Sequence, residues 1–199
     1  MATESHDRPE TLAAMLRHLV RSNEIETNTG GLTPVQWCAL QYFSLANRMS
    51  RTVSGFAAYN ATSRGTASQI VKGIAAKGYV VRVPAPDDGR SAEIVVTRRG
   101  REKLAEYPAT GLVRAIQRLT QSDKAALERV LEALLGDPQL KAGRTRIGTC
   151  HDCACLEQCL GGFGQGDYCR HSGRRIDPRD SDLLCVVHEA SWEATRTRD

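Results

Sequence analysis

Between Gly148 and Cys169 the chain reads GTCHDCACLEQCLGGFGQGDYC. Five of its seven cysteines fall in that stretch, a sixth follows at Cys185, and the remaining one is Cys38. As spacings the cluster is C-x2-C-x-C-x3-C-x9-C-x15-C, with His151, His171 and His188 interspersed. A C-x2-C pair places two thiolates on one tight turn, where they grip a metal from one side, and a second pair from distant sequence completes four-coordination. Cys150 with Cys153 is the first pair and Cys169 with Cys185 the second. Cys155 and Cys159 are extra to that pattern and are additional or substitute ligands, as is His188.

Thiolates hold either zinc or an iron–sulfur cluster, and coordination arithmetic does not separate the two. Six cysteines exceed what one structural zinc requires, and the Gly-rich GGFGQG suits wrapping around a cluster, so the iron–sulfur reading leads and zinc is the alternative. A third chemistry is a thiol switch at Cys155 or Cys159. Zinc would fold a segment whose apolar residues, Phe163, Tyr168, Ile176, Leu183, Leu184, Val186 and Val187, are too few to make a core alone. Cys38, on a helix, reads as a small buried hydrophobe.

A cluster of this kind implies a reducing compartment. The N-terminus MATESHDRPE is acidic where a secretory signal would be basic and then apolar, and apolar runs are too short to span a membrane. A cytoplasmic protein is expected, with no membrane contact. Phosphate-binding glycine loops, nucleophile–base constellations and cofactor motifs are not recognisable, so no enzyme is expected.

The 199 residues carry a net charge of only +4, but the charge is unevenly placed. From Arg48 to Lys103 there are eleven basic residues against four acidic ones, a block of +7, whereas the stretch from Asp137 onward is close to neutral. Such a block marks a polyanion-binding surface.

The elements around it follow from periodicity and caps. Helices are expected from Pro9, with Leu12, Met15, Leu16, Leu19 and Val20 on one face, and from Pro34 with Thr33 as N-cap. TVSGFAAYN and SRGTASQIVKGIAAKG form a helix-turn-helix, with Ser63 as N-cap and Gly78 after the second helix. YVVRVP and AEIVVT flank APDDGRS as a β-hairpin with Arg90 at its apex. Helix resumes at Thr97, bends near Pro108, and continues in QSDKAALERVLEALLG. Residues 1–136 then form one domain, 137–148 a linker and 149–199 a cysteine-rich module.

Duplex recognition needs a rigid element for the major groove, short polar side chains on it, and cations beside it. The helix from Ser63 to Lys77 offers Ser63, Arg64, Thr66, Ser68, Gln69 and Lys72 outward, with Ala67, Ile70, Val71 and Ile74 inward. Arg90 on the hairpin suits a narrow minor groove, oriented by Asp88. Gly55 and Gly65 depart from helix propensity.

The order Leu32-Thr33, Gln36, helix-turn-helix, Gly78-Tyr79, Arg82, Asp88-x-Arg90 and Thr97-x-x-Gly100 resembles the MarR family of winged-helix transcriptional regulators over about two thirds of the chain. The resemblance implies a mainly α fold with a small β-wing. It also implies a homodimer whose N-terminal and post-wing helices interlock, on double-stranded DNA with a pseudo-palindromic site. The tail is similar to cysteine tails on some MarR-like proteins, in which a Cys-x-x-Cys precedes a Tyr-adjacent Cys, a Gly turn and a final Cys before His-Glu. Tyr168-Cys169, Gly173, Cys185 and His188-Glu189 match. The expectation is a DNA-binding regulator whose affinity responds to a C-terminal iron–sulfur cluster; the alternative is a regulator with a structural zinc module and a small ligand in the dimer crevice.

Overall fold

The computed structural model describes residues 8–26, 31–85, 88–106, 111–137, 146–151, 153–157 and 166–189. Helix α1 (Pro9–Glu26) leads into α2 (Pro34–Leu45), α3 (Val53–Tyr59) and α4 (Arg64–Ala76). Strands β1 (Val80–Ala85) and β2 (Asp88–Val96) follow, then α5 (Arg98–Glu106), α6 (Gly111–Gln117) and α7 (Gln121–Gly136). The tail carries three two-residue strands, β3 (Leu156–Glu157), β4 (Tyr168–Cys169) and β5 (Arg174–Arg175), in one antiparallel sheet ordered β3-β4-β5. The fold is mainly helical with small antiparallel sheets.

Local chemistry explains the element boundaries. Thr33 and Gln36 form a reciprocal capping box at α2, each backbone N–H reaching the other's side chain at 3.3 Å. Ser63 caps α4 by accepting from Thr66 N at 3.1 Å. Gly78, at φ +77°, supplies the left-handed residue that turns the chain from α4 into β1. Thr97 caps α5 through Gly100 N and donates its hydroxyl to Gly78 O, tying the end of the hairpin back to its start. Residues 107–110, which include Pro108, lie outside the described residues.

The core is built from α2, α3, α4 and the hairpin. Tyr42, Phe43, Phe56 and Tyr59 stack with centroids 4.8–5.7 Å apart, and Leu40, Ile74, Val80 and Ile94 close around them. α3 approaches so tightly that a Cβ at Gly55 would collide with the Ser50 carbonyl oxygen and come 2.7 Å from the Tyr42 hydroxyl. That approach explains a helical glycine which propensity alone disfavours.

The tail does not stand apart. Val186 is buried within the same core, and Leu184 and Val187 pack against it. Leu184 pairs in parallel with Ala46, donating to Leu45 O at 2.9 Å and accepting from Asn47 N at 2.8 Å. Three of the tail's apolar residues, too few for a core of their own, therefore complete another one. Gly148, assigned by sequence to the linker, exchanges backbone hydrogen bonds with Cys185 at 2.8 and 3.2 Å. Residues 138–145 lie outside the described residues.

Candidate functional site

Helix α4 presents the surface that its period predicts. Ala67, Val71 and Ile74 are buried and Ile70 is half-buried, which turns Ser63, Arg64, Thr66, Gln69 and Lys72 outward, with Ser68 half-buried beside them. Strand β2 begins at Asp88, paired with Ala85 across a register shift at Pro84/Ala85. The backbone of Asp88 and Arg90 thus lies on the β2 arm, so Arg90 is not at the apex where the turn signals placed it. Their side chains lie outside the described residues.

The basic block divides by role. Arg51 donates to Ala46 O at 2.8 Å and pairs with Glu93 and Asp180, each at 3.3 Å. Arg48 also reaches Glu93, at 3.4 Å. Lys77 donates to Gly31 O and Gln36 Oε1, and Arg99 lies over the Tyr79 ring at 5.4 Å. These cations hold the fold together. Arg64 and Lys72 on α4 and Arg82 on β1 are instead exposed.

Four of the tail cysteines gather beside Met49 of the α2–α3 turn. Cys150, Cys155 and Cys169 are buried together with Ile176, and Cys153, Leu156 and Met49 of the α2–α3 turn pack on them. Cys153 N donates to Cys150 O at 3.2 Å, closing the tight turn that the C-x2-C spacing implies. Gly173, at φ +66°, turns β4 into β5. Among the described residues the six cysteines, including Cys185 and the half-buried Cys38, form no disulfide. Cys159 lies outside the described residues.

Burial pushes the Cys150 thiol up to about 12, and nearby Cys185, Cys153, Cys169 and Asp180 add to the shift. Burial also raises the Tyr42 phenol, with Cys185 and then Tyr59 adding to the shift. Burial, then Cys153 and a hydrogen bond with Glu189, push the Cys155 thiol up to about 11. A bound metal's positive charge would reverse each of these shifts, but among the described residues no three of the Cys150, Cys153, Cys169 and Cys185 sulfurs lie within 4.8 Å of one another. His188 is buried, its ring against Gly148 so closely that a Cβ there would come 2.6 Å from Cδ2.

Sequence reasoning missed two things here. Arg51 counted only as part of a charge block, yet it joins β2 to the tail. Cys155, His171 and Glu189 each bring one ligand atom within 4.8 Å of the others, a grouping that no spacing rule predicts.

Residues 30–91 match the sequence model of the MarR family. Among solved structures, the transcriptional regulator BldR from Sulfolobus solfataricus is 20% identical over 64% of this chain and 92% of its own, with a TM-score of 0.49. Wild-type MarR from E. coli in its apo form is 20% identical over 66% of this chain and 99% of its own, with a TM-score of 0.47. The S. aureus MepR–DNA complex is 19% identical over 62% and 98%, with a TM-score of 0.40. No curated protein matches the chain.

Proposed function

We propose that the chain is a sequence-specific DNA-binding transcriptional regulator of the MarR type, and that a metal centre in its tail sets its affinity for DNA. The match over residues 30–91 and the exposed polar and basic face of α4 support the first half. A second copy is implied by what the chain leaves uncovered. Met15 and Leu16 on α1 and Val130, Leu131, Leu134 and Leu135 on α7 are exposed, forming apolar faces that a homodimer would bury. Two copies would present two α4 helices to a pseudo-palindromic duplex. Leu131→Arg should yield monomers in sedimentation and abolish operator binding.

Arg51 carries the second half. One guanidinium holds Glu93 of β2 and Asp180 of the tail, so displacement of the segment around residue 180 is felt at the base of the wing. Cys150, Cys153, Cys169 and Cys185 would hold the centre, with Cys159 and His188 as additional or substitute ligands; Cys155, which the spacing also offers in that role, is grouped instead with His171 and Glu189. An iron–sulfur cluster bound there supplies redox, oxygen or iron sensitivity. The alternative, zinc, supplies a closed structural site, leaving a small ligand in the dimer crevice as the input. That Val186 and Leu184 already anchor the tail in the core favours the sensor, because a staple is less needed there.

The test is metal and sulfide analysis with an absorption spectrum on protein purified without oxygen, followed by operator titration of loaded and stripped protein. Iron with sulfide and a difference in affinity support the sensor. A colourless protein with zinc, or equal affinities, removes it.

A further inference from the structure

The tail sheet brings three donors of different chemistry to one point outside the four-thiol set. Cys155 precedes β3, His171 follows β4, and Glu189 follows Cys185 in the last described stretch. Backbone hydrogen bonds fix each of them. Arg170 N donates to Cys155 O at 2.9 Å, which locks the residue before His171 to the cysteine, and Ala154 N donates to Glu189 O at 2.6 Å, which locks the glutamate beside it. Strand pairing of Leu156 with Cys169 sets the register between the first two. One atom from each side chain, a sulfur, an imidazole nitrogen and a carboxylate oxygen, lies within 4.8 Å of the other two.

We propose that Cys155, His171 and Glu189 form a second metal site, for a borderline divalent cation of the zinc type, separate from the Cys150–Cys153–Cys169–Cys185 set. Thiolate and imidazole select against the hard cations magnesium and calcium, which take oxygen ligands. Three protein ligands leave a fourth position for water. Cys155 is buried whereas His171 and Glu189 are exposed, so the site opens to solvent on the side of its nitrogen and oxygen donors. On binding, the Cys155 thiol loses its proton to solvent and the sulfur lone pair forms the metal bond. A buried four-thiolate centre exchanges its metal slowly. A solvent-facing three-ligand site exchanges it readily, and so reads the free concentration of the ion.

The site stands independently of the regulatory reading of the tail, and its variants differ. The full-length protein is titrated with cobalt(II) and, in competition, zinc(II). Wild type should bind one cation beyond those retained after a mild chelator, with thiolate-to-cobalt charge transfer in the near ultraviolet. His171→Ala and Glu189→Gln, both at exposed side chains, should weaken that cation at least tenfold, because loss of even an outer-shell partner costs about 10–100-fold. Cys155→Ser should abolish the charge-transfer band. Cys150→Ser should leave the band in place, whatever it does to the other centre. Unchanged stoichiometry and affinity in both His171→Ala and Glu189→Gln, or cobalt binding without thiolate charge transfer, would overturn the proposal.

Discussion

Val186 donates its backbone N–H to the Ser50 hydroxyl at 3.1 Å, across 136 residues of sequence. Ser50 is itself buried, and its carbonyl accepts from Tyr42 at 2.6 Å. The tail is thereby wired into the aromatic core of the helix-turn-helix unit. Val186→Ala should destabilise the whole described fold by about 2 kcal/mol, from reduced burial plus the cavity left behind. Urea unfolding followed by tryptophan fluorescence and by far-ultraviolet circular dichroism should give one coincident transition. A separate early transition for the tail would contradict the shared core.

Arg51 joins three partners, so its removal should be felt at all of them. Arg51→Met keeps the apolar stem but leaves Glu93, 8% exposed, with only Arg48 at 3.4 Å. The expected cost is about 1.5–3 kcal/mol, the range for hydrogen bonds to charged groups. Asp180→Asn should cost less, since it spares the Glu93 ion pair. A double-mutant cycle between Arg51 and Asp180 should return a coupling above about 0.5 kcal/mol, as expected for residues in one network; zero coupling would disconnect tail from wing.

The helical glycines Gly55 and Gly65 should respond in opposite directions. Gly55→Ala places a methyl group against the Ser50 carbonyl and the Tyr42 hydroxyl and should destabilise by about 1–3 kcal/mol. Gly65 meets only its own cap, Ser63 Oγ at 3.7 Å. Gly65→Ala should stabilise by about 0.4–1 kcal/mol, the usual gain where the native backbone already suits a side chain. Denaturant midpoints of the two variants decide the matter.

On DNA the cations of the basic block should fall into two groups. Arg64→Ala and Lys72→Ala should weaken binding and lower the slope of log affinity against log salt by about 0.9 for each phosphate no longer neutralised. Lys77→Ala should leave the slope unchanged while lowering stability, because its ammonium is already engaged by Gly31 and Gln36. Arg90→Ala should weaken operator binding at least tenfold; an unchanged titration would remove Arg90 from the interface.

What could be read from the sequence was what is decided locally. Thr33, Ser63 and Gly78 mark their boundaries because a cap or a left-handed residue acts within four positions of itself. The outward face of α4 followed from its period. The docking of Val186 and Leu184, the three-way role of Arg51 and the need for glycine at position 55 were not legible, because each depends on a partner that only the fold brings near. The same holds for His171 and Glu189, whose ligand-like grouping arises from strand pairing. The cysteine cluster itself was plain, since thiols in number announce themselves by type alone.

The parallel pairing of Leu184 with Ala46 also orders events in time. The helix-turn-helix unit is synthesised first, and the segment that finishes its core follows only after more than a hundred further residues, with Val186 136 residues beyond Ser50. Until then the cavity kept for Val186 stands open, and the nascent chain presents an incomplete apolar surface. Closing such a long loop slows folding more than it costs stability, because the entropy of closure grows only logarithmically with length. A messenger cut short before codon 186 would therefore yield a protein that keeps the whole of α4 and the hairpin yet has a hole at its centre, a ready substrate for proteolysis.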